Sequence, residues 1–140
     1  HYGAGYKGMI ADGVLRDATV EAQIDWPLQP DTEYRRPNGA IMGTTNADGV
    51  FDFPITSGLN GGVFAVGWTG LNADWTAAAN NCNGWSASSG FTGAYGNANG
   101  DSTSAMIHRP TQGNGDSCAP GNDRLVCAGP VLTGRTCTLQ

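Results

Sequence analysis

Between residues 76 and 124 the chain shows almost no hydrophobic periodicity, neither that of a helix nor that of a strand. The stretch is Asn, Gly, Ser, Ala and Thr, broken by Trp85, Phe91, Tyr95, Met106 and Ile107, and it holds Cys82 and Cys118. Such a stretch inside a compact domain is either a functional loop or a linker. Flexible linkers are Gly/Ser-rich and carry no aromatic anchors. An ordered loop region clamped by a disulfide is therefore expected here.

The rest of the chain supplies short strands and turns. Residues 6–24 read as two short strands around the turn signal Asp12-Gly13. Residues 25–38 hold three prolines and exclude a regular helix, so an extended loop with a turn at Pro30-Asp31 is expected. "GAIMGTTNADGVF" gives a strand ending in the turn Asp48-Gly49, and "VFDFPI" a further strand with Val50 and Asp52 alternating with Phe51 and Phe53. "GVFAVGWTGL" is the best strand, with Val63, Phe64, Val66 and Trp68 bounded by Gly. "DRLVCAG" closes the core as a short strand, and no internal repeat is present.

Composition narrows the class. With 14% charged residues and 22 Gly, the chain must be rich in turns and poor in helix. Its 140 residues suit one domain, with a core over 6–128 and an extension over 129–140. A net charge of −5, and Lys and Arg adjacent only at Arg35-Arg36, exclude the clustered basic surface that nucleic acid or an anionic membrane requires. No run of 18 apolar residues exists, so no membrane insertion is expected. "HYGAGYKGMI" lacks the apolar region of a signal peptide. Four cysteines with few lysines point to a disulfide-bonded protein, secreted or at the cell surface. No Cys or His spacing of a zinc site appears.

"WTGLN", then Cys82, Trp85, Cys118 and "LVC" at Cys127, resembles the C-type lectin-like fold. "IDWPLQPDTEYRRPNG", "IMGTTNADGVFDFPI", "VGWTGLNADW", "NCNGWSASSG" and "RLVC", preceded by "YKGMIADG", resemble more narrowly the bacterial leptospiral endostatin-like family. The resemblance covers about residues 6–128. It implies an α+β fold with a small twisted antiparallel sheet, a long ordered loop region and low helix content. It also implies a Cys82–Cys118 bridge. In that family an upstream helical segment supplies a cysteine to the position of Cys127, and this chain is expected to lack it. Cys127 is then expected to bridge Cys137, unless it is reshuffled. The resembling proteins are surface or secreted binders of host matrix and serum proteins, so the resemblance implies adhesion.

The residues themselves offer several sites. Trp68 and Trp85 are expected in the core, Trp68 alternating with Val66 and Trp85 beside Cys82. Trp75, among polar neighbours in "NADWT", is expected to be the exposed ring. With Asn80, Asn81, Asn83, Phe91 and Tyr95 it forms the ligand-binding set. Asn97, Asn99, Asp101 and Asp116 supply the oxygens that calcium takes, although Asn and Asp are also ordinary turn formers. The EF-hand pattern fails, and Gln29-Pro30-Asp31 falls before the W-x-G-L strand, where no lectin calcium site lies. His1 with His108 gives ligand types that copper takes. Nothing else resembles a copper monooxygenase, so His108 is expected to be a surface loop residue. No G-x-S-x-G and no Cys/His pair point to hydrolysis, and an enzyme is not expected.

These observations lead to a non-catalytic recognition domain that binds an extracellular protein or glycan through loop region 76–122. The alternatives are a glycan-binding fibre-tip module, or a structural subunit that self-assembles into an oligomer.

Overall fold

In the computed structural model, the described residues are 7–59, 66–97, 102–109, 116–119 and 124–129. Among them nine short strands dominate: β1 Lys7–Gly8, β2 Glu33–Arg35, β3 Ile41–Thr44, β4 Val66–Trp68, β5 Thr92–Gly93, β6 Tyr95–Asn97, β7 Asp116–Ser117, β8 Arg124–Leu125 and β9 Cys127–Ala128. Among the described residues helix is limited to two 3-10 turns, Val20–Ala22 and Ser104–Met106, and one four-residue turn, α1 Cys82–Trp85. The low helix content and small sheets follow from the many Gly, Asn and Pro, which break ladders every few residues.

Strands pair locally and across the chain. β2 and β3 form a hairpin-like antiparallel pair with a register shift between Tyr34 and Arg35. β1 pairs antiparallel with β9, placing Gly8 opposite Cys127 and tying together two distant parts of the sequence. β4 lies between β6, antiparallel, and β8, parallel. The parallel pair departs from the expected all-antiparallel arrangement. Parallel neighbours need a long crossover connection, and the loop region between β4 and β8 supplies it. That region is also less irregular than its sequence implies, because it contributes β5, β6 and β7.

The turn signals at Asp12-Gly13, Pro30-Asp31 and Asp48-Gly49 all fall in turns or bends, with Gly49 at φ +70°. "VFDFPI" is not a strand. Val50, Phe51 and Ile55 all point into the core, and the backbone bonds elsewhere: Phe51 O accepts from Trp75 Nε1, and Ile55 N donates to Ser102 O. Phe53-Pro54 is cis. Of the best-looking strand, Val66–Trp68 is a strand and residues 61–65 lie outside the described ones.

The core is centred on Phe51, Leu71, Met106 and Ile107, with Met9, Trp26, Leu28, Met42 and Trp75 around them. Trp75 corrects the sequence expectation: it is 5% exposed, not the accessible ring. It stacks on Phe53 at 5.6 Å between centroids and meets Trp26 edge-on at 6.1 Å. Its indole N–H donates to Phe51 O at 3.0 Å. The polar neighbours of Trp75 make a tight turn, with Trp75 N donating to Asn72 O, and this swings the ring inward. Tyr95 is likewise buried, edge-on to Trp68 at 6.3 Å, and leaves the binding set. Trp68 and Trp85, expected in the core, are half-buried and pack on each other edge-on at 6.1 Å.

Candidate functional site

Two adjoining loops form the best-defined exterior feature. The first is the tip at residues 12–16. One carboxylate oxygen of Asp12 accepts from Val14 N at 2.8 Å, Leu15 N at 2.7 Å and Arg16 N at 3.1 Å. Gly13 takes φ +75°, which a side chain would resist. This cap holds Val14 and Leu15 in solvent, 73% and 75% exposed. Arg16 anchors the base, donating to Gly8 O at 2.8 Å and to Asp25 at 2.7 Å. Single exposed aliphatics are ordinary, but two adjacent ones on a capped turn are a presented apolar tip.

The second loop is the turn at α1. Cys82, Asn83, Gly84 and Trp85 all have positive φ, from 52° to 64°. Three of the four are not glycine, and each such residue costs about 1–2 kcal/mol. Local bonds offset the strain. Asn81 Oδ1 accepts from Gly84 N at 3.0 Å, and Asn81 O accepts from Trp85 N at 2.8 Å. The Cys82–Cys118 bridge fixes the first residue of the turn, as the resemblance implies. Cys118 N in turn donates to Phe91 O at 3.0 Å. Phe91 is thereby held on a braced loop and stays 50% exposed. A side chain at Gly93 would collide with Trp68 and with the sulfur of Cys82, so only glycine lets β5 pass this close to the bridge.

The two loops are bonded to each other. Trp85 Nε1 donates to Ala11 O at 3.0 Å, and Asn81 Nδ2 donates to Asp12 O at 3.2 Å. Of the sequence-derived binding set, Asn83 and Phe91 are exposed on this assembly, while Asn80 and Asn81 are half-buried. Asn80 O accepts from Ala94 N, and Asn81 works as the brace just described. The sequence reading missed Val14 and Leu15 because it placed them in a strand after Asp12-Gly13. Two consecutive large aliphatics cannot both face the core of a strand, and that was the available signal.

The metal candidates are only partly visible. Asn97 ends β6 half-buried, Asp116 begins β7, and Asn99 and Asp101 lie outside the described residues. Among the described residues no three His, Cys, Asp or Glu cluster as metal ligands. His1 also lies outside them. His108 is half-buried rather than a plain surface residue, and its Nδ1 meets Leu71 O at 2.9 Å. A carbonyl only accepts, so that nitrogen carries the proton. The expected Cys127–Cys137 bridge reaches outside the described residues through Cys137, and Cys127 itself is disulfide-bonded.

Three carboxylates sit below their ordinary value of 3.8. Burial pushes Asp12 up, but the backbone bonds from Val14, Arg16 and Leu15 together outweigh it. Hydrogen bonds from Lys7 and Arg16 lower Asp25, and those from the side chain and backbone of Thr76 lower Asp74. A depressed carboxylate contributes stability that is present above its unfolded value and lost as pH falls through its folded value. Thermal stability is therefore expected to drop most steeply below pH 3.8. Asp12→Ala should cost about 1 kcal/mol, as loss of a turn or helix cap does, and shrink that acid-side drop. A main drop near neutral pH would contradict this.

The comparisons with known proteins bear on the class. The chain belongs to the DUF1554 family of proteins of unknown function, whose model matches residues 1–101. No curated protein and no solved structure matches the chain. Among the described residues no helix is long and apolar enough to cross a membrane.

Proposed function

We propose that this chain is a non-catalytic, extracellular recognition domain of the C-type lectin-like, endostatin-like kind, and that it binds a protein partner through the tip at 12–16 and the adjoining loop at 82–91. The resemblance to the leptospiral endostatin-like family supports the fold and the adhesive role. The observation that carries the reading is the capped exposure of Val14 and Leu15, on a tip bonded at its base to the turn that leads into the braced loop of half-exposed Phe91. Side chains already fixed on a braced loop lose little entropy on binding, and aromatic residues such as Phe are enriched at the centres of protein interfaces.

An array of extracellular-matrix and serum proteins, with and without EDTA, tests it. The wild type should bind at least one protein indifferently to EDTA. Leu15→Asp and Phe91→Ala should each weaken that binding by roughly tenfold or more, as loss of an interface anchor does. Both positions are exposed, so both variants should keep the unfolding midpoint of the wild type. Binding unchanged in both variants would sink this surface. Concentration-dependent self-association with no other partner would favour the structural-subunit alternative.

A further inference from the structure

A cleft of about 550 Å³, which shares no lining residue with that surface, lies between β2 and the β1–β9 pair. That volume falls in the range of roughly 300–1,000 Å³ typical of small-ligand sites. Trp26, Pro27 and Tyr34 supply its apolar lining, and Lys7, Glu33 and Arg35 its charged rim. We propose that it is a binding site for a neutral carbohydrate, a hexose-type oligosaccharide, independent of the protein-recognition surface.

The lining is held in place from behind. Trp26 is 7% exposed and its indole N–H donates to Gly49 O at 3.2 Å, which fixes the ring. Tyr34 packs edge-on against Phe51 at 5.8 Å. Its phenol oxygen accepts from Gln29 N at 2.8 Å, so its own O–H remains a donor, engaged by no described residue. Trp26, buried beneath, supports the cleft, and the half-buried Tyr34 is the aromatic ring that meets the C–H face of a sugar.

The charged groups of the rim are already paired. Lys7 and Arg16 share Asp25, and Arg35 is paired with Glu33 at 2.7 Å. A hydroxyl can add to these exposed pairs without displacing either partner. Arg35 Nε and Nη2 both contact the same oxygen of Glu33, Oε1, leaving Oε2 open as an acceptor among the described residues. The cleft thus offers a phenol donor, ammonium donors at Lys7 and a carboxylate acceptor around an aromatic surface. Sugar hydroxyls, each both donor and acceptor, match that mixture.

Isotope-labelled protein titrated with maltotriose, cellotriose and N-acetylchitotriose, and separately with trigalacturonate, provides the test by NMR. At least one neutral trisaccharide should shift resonances of Lys7, the Trp26 indole, Glu33–Arg35 and Ala128, at concentrations up to about 10 mM. Glu33→Ala and Tyr34→Phe should each weaken it about tenfold, the loss of one good hydrogen bond. Phe91→Ala should leave it unchanged, which separates this site from the protein-binding surface. Unfolding midpoints of the variants check that they fold. No shift with any neutral sugar, shifts confined to the 82–91 loop, or binding of trigalacturonate alone would each overturn the proposal.

Discussion

Trp75→Ala is expected to cost about 3–5 kcal/mol, the range for truncating a large buried aromatic. The residue stacks on Phe53, meets Trp26 and Phe51, and supplies the indole N–H that Phe51 O accepts. Alanine would leave a cavity between three rings and an unpartnered buried carbonyl, and both contribute. Domains of this size are stable by only about 5–15 kcal/mol, so the variant should unfold at much lower denaturant or fail to accumulate. Trp75→Phe should cost less, keeping part of the stacking and losing the hydrogen bond. Urea unfolding followed by circular dichroism measures both. A cost under about 1 kcal/mol for Trp75→Ala would mean that the ring is not in the core. The same expectation bars Trp75→Ala as a probe of ligand contact, since its binding loss would follow from unfolding. Leu15 and Phe91, both exposed, are the proper probes.

Why Trp75 misleads in sequence shows what was legible and what was not. Turns at Asp12-Gly13, Pro30-Asp31 and Asp48-Gly49 depend on the intrinsic preferences of adjacent residues, and those could be read directly. Low helix content followed from Gly and Asn in the same way. The burial of Trp75 depends on residues 22 to 49 positions away, Phe53 and Trp26, and on a φ of 69° that its polar neighbours impose. "VFDFPI" had a strand's alternation, yet Trp75 and Ser102 took its backbone partners, which no local pattern records. The Cys82–Cys118 pairing was accessible through the family resemblance, because four cysteines alone allow three pairings. The cleft proposed to bind carbohydrate was invisible. Lys7, Trp26, Tyr34 and Ala128 come together only once β1 pairs with β9 beside β2. Of the proposed recognition surface, Asn83 and Phe91 were candidates in the sequence, and both are exposed. The exposure of Val14 and Leu15 was hidden behind a strand assignment that could not have buried both.

Removing the bridge with Cys82→Ala and Cys118→Ala together should lower stability by about 4 kcal/mol, the chain-entropy value for cysteines 36 residues apart. The double variant avoids leaving a reactive thiol. Its thermal midpoint should fall by roughly 10–15 °C for a domain of this size. The loss should not be uniform. The left-handed turn at Cys82–Trp85 holds three non-glycine residues in a costly conformation, and the bridge fixes one of them. Without it, the turn should relax first, and amide exchange should rise at Gly84, Trp85 and Ala87 before it rises at the core amide of Ile107. Cys118 N braces Phe91 O, so Phe91 should lose its fixed position and the protein partner should bind about tenfold more weakly. The cleft beside β2 shares no residue with the bridge, so carbohydrate binding should survive at temperatures where the variant is folded. If exchange rises equally everywhere, the bridge stabilises the domain only through the unfolded chain. If both binding activities disappear together while the fold persists, the two sites are coupled, and their proposed independence is wrong.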